Sequence, residues 1–241
     1  MITEVKVEGA PKVIPPKFHC DNELGESIPE PLPNRAFALG IFGQPGSGKS
    51  SMLVSLLTAK RPNRVYRGVF TDVHMVCPPH SRASLANTLY EDHPPDKVHD
   101  DLTADVLTAI LDRCKATAEE GENSLIVIDD CAVALKEKEV EKLLRKLIFN
   151  RRHYHTSLII VSQTYNSMPL SLRKTLSHFI AFKPANRKEI ANIFEELIFQ
   201  PKSVADEILE YTYQGKRDFL YGDSMTGKLY RNFNLLKLNG D

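Results

Sequence analysis

Residues 43–50 read GQPGSGKS, which places three glycines, a lysine and a hydroxyl in the spacing GxxxxGK[ST]. That spacing serves one task above others, the grip of a polyphosphate. Gly43, Gly46 and Gly48 allow the backbone to turn its N–H groups inward as an anion nest at the positive end of a helix. Gln44, Pro45 and Ser47 complete the turn, Lys49 would neutralise the β and γ phosphates, and Ser50, with Ser51 beside it, would bring a hydroxyl to a bridging Mg2+ ion. A second group lies downstream, where Leu125, Ile126, Val127 and Ile128 run into Asp129 and Asp130. Ligands gather at the carboxyl ends of such buried strands. Asp129 would hold Mg2+, commonly through a water, and Asp130 would polarise the attacking water. Paired aspartates also suit a helix N-cap or a solvated turn, so the upstream loop is what gives these two their chemical meaning. A third group spans residues 150–164, NRRHYHTSLIIVSQT, with Arg151 and Arg152 before an apolar strand and Gln163 at its end.

These residues need a scaffold that brings strand ends together. Residues 36–42 are apolar and enter the glycine loop, residues 49–60 read as a helix, and the β-branched run 65–77 predicts a strand or strand pair. A proline-rich polar loop follows to about residue 100. Residues 105–119 are helical in composition and 124–129 are a short buried strand. Val140, Leu143, Leu144, Leu147 and Ile148 fall on one helical face. Residues 156–163 and 178–182 predict two more strands, so strands alternate with helices as in a parallel sheet covered on both faces. The class is α/β, a mostly parallel central sheet flanked by helices. Ile190, Ile193, Phe194, Leu197 and Ile198 repeat the helical spacing, residues 203–212 predict another helix, and 219–231 a hairpin around Gly222 and Gly227. The organisation expected is an extended N-terminal arm over 1–34, rich in proline, a core over 35–200, and a C-terminal helix and hairpin over 201–241 packed on it.

Apolar residues make up 42% and charged residues 26% of the 241, a balance that folds. Lys plus Arg equals Asp plus Glu at 31 each, so no global positive field advertises nucleic acid and any such contact must be local. Arg173, Lys174, Lys183, Arg187 and Lys188 could line a channel and touch duplex phosphates without reading sequence, or simply face solvent. Cys20, Cys77, Cys114 and Cys131 show no CxxC spacing, which argues against a disulfide framework and for a reducing compartment. His74, Cys77 and His80 are close, but Pro78 and Pro79 intervene and no fourth ligand completes a zinc tetrahedron. No apolar run is long enough for a membrane span or a leading signal stretch. An intracellular protein is expected.

The order of glycine loop, acidic strand end, arginine pair and strand-end glutamine resembles that of the FtsK/HerA superfamily of DNA-pumping ATPases. It is most similar to the poxvirus-type genome-packaging ATPases, over roughly residues 37–194. The resemblance implies a P-loop NTPase fold of the additional-strand (ASCE) type, with strand 156–163 between the P-loop strand and the strand that ends in Asp129. It implies that Gln163 faces the γ-phosphate and orients the lytic water, and that Arg151 or Arg152 enters a neighbour's site as an arginine finger. In that class the second acid is commonly Glu, so Asp130 is one methylene short for a base. The implied cofactors are ATP and Mg2+. The implied partners are double-stranded DNA, capsid or portal-vertex proteins, and further copies in a pentameric or hexameric ring, located in the host cytoplasm, a viral factory or the virion. Two alternatives stand: a nucleotide-binding assembly factor with little hydrolysis, and a P-loop nucleotide kinase or GTPase, although the guanine-reading NKxD is missing.

Overall fold

The most apolar runs of the chain become its innermost strands. The structure, a computed structural model, describes residues 23–25, 28–83, 89–198 and 202–237. In chain order the first half gives β1 (Ala38–Phe42), α1 (Lys49–Thr58), β2 (Asp72–Val76), α2 (Pro79–Ala83), β3 (Val98–His99), α3 (Ala104–Glu119) and β4 (Ser124–Asp129). The second half gives α4 (Lys138–Asn150), β5 (Thr156–Ser162), α5 (Leu170–Arg173), β6 (His178–Phe182), α6 (Arg187–Ile193), a π-helical turn (Phe194–Ile198), α7 (Lys202–Thr212), β7 (Phe219–Asp223), β8 (Leu229–Arg231) and β9 (Asn234–Leu235). Every residue of β1, β4 and β5 is buried, as unbroken apolar runs require when helices cover both faces of a sheet.

The strands form a nine-stranded sheet in the order β3-β2-β4-β5-β1-β6-β7-β8-β9. The pairings from β3 through β6 are parallel, and β7, β8 and β9 are added antiparallel. β5 lies between β1 and β4, in the position the resemblance implied. Register then decides where the chemistry sits. Phe42 pairs with Ser162 and Asp129 with Val161, so the carboxyl ends of β1, β4 and β5 finish at one edge of the sheet. The glycine loop, the acid pair and Gln163 therefore leave adjacent strands at the same level.

One face of the sheet packs Ile126, Ile128 and Ile160 against α3 and α4 through Leu107, Ile110, Leu144 and Leu147. The opposite face packs Leu39, Ile41 and Val127 against Leu53 and Leu56 of α1 and against Phe37, Tyr66 and Phe70. α3 opens on Thr103, whose side chain accepts from the Val106 N–H at 3.2 Å, an N-cap of the usual kind.

Three expectations need correction. The run 65–77 yields only β2. Residues 65–70 instead form turns that lay Tyr66 and Phe70 over Phe37, at ring-centroid distances of 5.2 and 6.4 Å. Gly68, at φ +67°, breaks the extended path there, and the aromatics supply core without joining the sheet. The described part of the N-terminal segment does not lie outside the core. Leu24 and Leu32 are buried, Tyr66 donates its hydroxyl to the Pro33 carbonyl at 2.9 Å, and Tyr221 does the same to Pro31 at 2.7 Å. The rest of that segment, residues 1–22, 26 and 27, lies outside the described residues. Finally, Gly222 is not in the hairpin turn. It sits in β7 under Phe179, where an added Cβ would come within 2.2 Å of the ring, while Gly227 at φ +72° makes the turn. None of the helices among the described residues is long and apolar enough to cross a membrane.

Candidate nucleotide-binding site

β1 delivers the chain into the glycine loop, and α1 begins at Lys49 directly behind it. The first turn of a helix leaves N–H groups without intrahelical partners. Here no side chain caps them. Gly48 occupies the N-cap position at φ +116°, a conformation costly for any residue with a Cβ, and Gly46 follows the same rule at φ +75°. Gly43 is required for a different reason. A Cβ there would lie 2.7 Å from the Phe182 Cβ and 2.6 Å from the Ser47 hydroxyl. Phe182, the last residue of β6, is thus the floor on which the loop lies. The Gly43 N–H donates to the Ser162 carbonyl at 3.3 Å and ties the loop to β5.

The Lys49 ammonium folds across the loop, donating to the carbonyls of Gly43 at 2.6 Å and Gln44 at 3.0 Å. Partial burial lowers its pKa, and the charges of Asp129 and Asp130 pull it back up. The Ser47 hydroxyl is buried without a hydrogen-bond partner, which is unusual enough to call for a ligand. An uncapped helix start, an orphaned hydroxyl and an ammonium that satisfies itself on loop carbonyls together fit a polyphosphate. Ser50 in the first turn of α1 and Asp129 at the end of β4 are oxygen donors of the type magnesium takes.

Asp129 is 7% exposed. Burial pushes its carboxyl above the ordinary carboxylate range, opposed by a hydrogen bond from the Tyr90 hydroxyl at 3.2 Å and by the charge of Lys49, while Asp130 pushes it further up. Cys77 and Cys131 lie close by, and burial pushes both thiols up to about 12, so they are neutral neighbours and not nucleophiles. Asp130 stands in the left-handed region at φ +56°, which Asp tolerates better than most residues. Its two carboxylate oxygens are shared: Ser81 donates to Oδ2 at 2.6 Å and the Gln163 amide to Oδ1 at 3.3 Å. Val76 pairs with Ile128, so α2 leaves the sheet beside β4 and carries Ser81 to this carboxylate.

The structure therefore brings together the glycine loop, Lys49, Asp129, Asp130 and Gln163. It adds Ser81, Tyr90 and Phe182, which no sequence pattern marked. Ser81 lies in the one-turn helix α2 and Tyr90 in the turn beyond it, both too short for a periodicity to announce a position, and Phe182 reads only as the end of a strand.

Arg151 and Arg152 are elsewhere. They end α4 and precede β5, at the sheet edge opposite the glycine loop. Arg151 is half-buried and donates to the Ala36 carbonyl at 3.1 Å and the Ile148 carbonyl at 2.8 Å. It thereby satisfies late carbonyls of α4 and joins the helix to the start of β1. Burial, then the charge of Arg152, lowers its pKa. Of the residues proposed for a DNA channel, Arg173 is corrected. It is buried, pairs with both carboxylate oxygens of Glu196 at 3.0 and 2.8 Å, bonds Asn166 at 3.1 Å and lies 4.9 Å from the centre of the Tyr165 ring. Removing one member of such a pair strands the other charge at a cost of about 3–5 kcal/mol. Arg173 holds the fold and offers nothing to a ligand. Lys174, Lys183 and Lys188 are exposed. His74 bonds Asp72 at 3.0 Å and stacks on His99, and among the described residues no group of three or more His, Cys, Asp or Glu side chains could hold a metal.

The chain is similar to known proteins in both sequence and fold. It is 29% identical over 191 residues to "Uncharacterized protein 015R" of Frog virus 3 (isolate Goorha), an alignment covering 74% of this chain and 54% of that protein. The chain thus spans about half the length of that curated relative. Among solved structures, the DNA-packaging ATPase B204 of Sulfolobus turreted icosahedral virus superposes with a TM-score of 0.61 at 15% identity, covering 81% of this chain and 96% of that one. The genome packaging NTPase B204 of Sulfolobus turreted icosahedral virus 2, in complex with AMPPCP, gives 0.57 at 15% identity with the same coverage. At such identities these likenesses show a shared fold. The sequence model of the family described as Poxvirus A32 protein matches residues 29–209, from the Pro-rich segment into α7. With that match running over most of the chain and through every element of the nucleotide cradle, the protein belongs to the poxvirus A32 protein family.

Proposed function

We propose that this protein is an ATP-hydrolysing motor that moves double-stranded DNA into a viral capsid. The observation that carries this reading is the placement of Asp130. An apolar strand delivers it beside Asp129, its backbone is left-handed, and Ser81 and Gln163 fix its two oxygens. A carboxylate held that way can accept a proton from a water positioned by the Gln163 amide. Around it the loop N–H groups and Lys49 would bind and orient the phosphates, and Ser50 and Asp129 would hold the magnesium ion, which would supply charge neutralisation. The B204 proteins of the same fold are described as genome packaging NTPases, one of them with AMPPCP bound, which supports ATP as the nucleotide and packaging as the task. Capsid or portal-vertex proteins are the corresponding partners, and the host cytoplasm or viral factory the place of action.

The test is hydrolysis with and without duplex DNA over a range of salt. Duplex should raise the Lys49-dependent rate, and the rise should fade as salt increases. A rate indifferent to duplex at low salt would sink the motor and leave the assembly-factor reading.

Because Arg151 and Arg152 lie at the far edge of their own sheet, a finger role requires a second copy. Arg151 donates to two backbone carbonyls that such a role would have to release, and either Arg151 or Arg152 would enter a neighbour's site in a ring. Arg151→Ala/Arg152→Ala subunits and Lys49→Ala subunits, each inactive alone, should recover hydrolysis when mixed. Absence of recovery at every ratio would remove the finger.

A further inference from the structure

The turn between α1 and β2 lies in a stretch of the chain that carries bases and no acids. No acidic side chain occurs between Glu30 and Asp72, although acids and bases balance at 31 each over the whole chain. Within that stretch residues 60–67 supply Lys60, Arg61, Arg64 and Arg67. Together with Gly68 these side chains line an open cleft of about 390 Å3 that has no carboxylate in its wall. Among the described residues, no carboxylate forms an ion pair with any of the four. The cleft is also built. Arg64 Nε donates to the Arg67 carbonyl at 2.8 Å, Gly68 turns the chain at φ +67°, and the Arg64 guanidinium lies 3.6 Å from where a Gly68 Cβ would stand. Arg64 is thereby fixed while Lys60, Arg61 and Arg67 stay exposed.

We infer that this cleft is a second anion site, distinct from the nucleotide cradle, which takes the phosphodiester backbone of duplex DNA. α1 separates the two. Its ten residues span about 15 Å at 1.5 Å per residue, so no ATP phosphate in the loop reaches residues 60–67. Arginine recognises phosphate with paired N–H donors, and Lys60 adds a point charge. The wall offers no Asn, Gln or aromatic side chain to read base edges or stack on them, so the contact is with the backbone and independent of sequence. The assignment of DNA rests on the function proposed above. It replaces Arg173, which is buried in an ion pair, with residues whose charge is available. It also gives α1 two tasks, since the helix receives the triphosphate at its first turn and carries the duplex contact beyond its last.

The experiment compares the full chain with a Lys60→Glu/Arg61→Glu/Arg67→Glu variant, leaving Arg64 in its structural bond. Binding of a labelled random-sequence duplex is measured across salt, and binding of an ATP analogue reports on the intact cradle. The variant should keep its nucleotide affinity and bind duplex more weakly. Its slope of log K against log salt should fall by about 3, at roughly 0.9 per lost phosphate contact. The milder Lys60→Gln/Arg61→Gln/Arg67→Gln set should show the same change if the charge-reversed chain fails to fold. A variant that binds nucleotide and keeps the parental duplex affinity and slope overturns the assignment, leaving the cleft to an acidic protein surface. An unaltered chain that binds nucleotide but no duplex overturns it too, and the motor reading with it.

Discussion

Replacing Lys49 with alanine is expected to weaken ATP binding by two to four powers of ten while leaving the fold intact. The ammonium donates to the carbonyls of Gly43 and Gln44, so it lies across the loop where the phosphates would arrive. Two charge-assisted contacts at about 1.5–3 kcal/mol each correspond to roughly that loss, at about 1.4 kcal/mol per tenfold in Kd. The fold should survive because the lysine contributes no apolar packing to the core, and the freed carbonyls lie at a surface loop that water can reach. Titration calorimetry with a slowly hydrolysed ATP analogue, paired with a thermal melt, checks both halves. Equal affinity in the two proteins would mean that the glycine loop is not where nucleotide binds.

Asp130→Asn carries the second large effect. The amide keeps the shape and can still accept from Ser81, but it cannot take a proton, and one of its ends presents N–H groups to the donors now facing Asp130. A correctly placed general base contributes typically 10²–10⁴ to rate, so kcat should fall by about that factor. Analogue affinity should change little, since Lys49, Ser50 and Asp129 are untouched. Single-turnover hydrolysis measures the first quantity and equilibrium binding the second. Undiminished turnover would remove Asp130 from the chemistry despite its geometry. A parent protein that binds ATP but turns it over no faster than the variant would place the family member among assembly factors.

Much of this site was legible in the residues. The glycine loop follows from a local rule, since positive-φ glycines, a lysine and a hydroxyl must be adjacent in sequence to act together. The acid pair was legible because a buried strand is a continuous apolar run and its end is marked by the first charge. Strand order was a different matter. Nothing in the apolar runs 124–129 and 156–162 says which lies beside β1, and only the resemblance placed β5 there. Ser81 and Tyr90 escaped because they reach the acids from a short helix and a turn whose path is set by β2–β4 pairing. The misreading of 65–70 has the same origin. Aromatic and branched residues at that density suit a strand or a loop pressed on a sheet equally well, and Gly68 was the only sign of the second. Arg173 misled because charge in a sequence says nothing about who neutralises it; Glu196 lies 23 positions away on the turn after α6.

The two margins of the sheet bear on how copies of this chain can meet. Among the described residues, one margin ends in β3 and the other in β9, each two residues long. Ribbons that short offer too few unpaired backbone groups to template a strand from another molecule. Lateral zippering of sheets is thereby discouraged, and the ring proposed above would have to be cemented by side chains and loops. Contacts of that kind can loosen and re-form with each turnover, as a continuous hydrogen-bonded ladder could not.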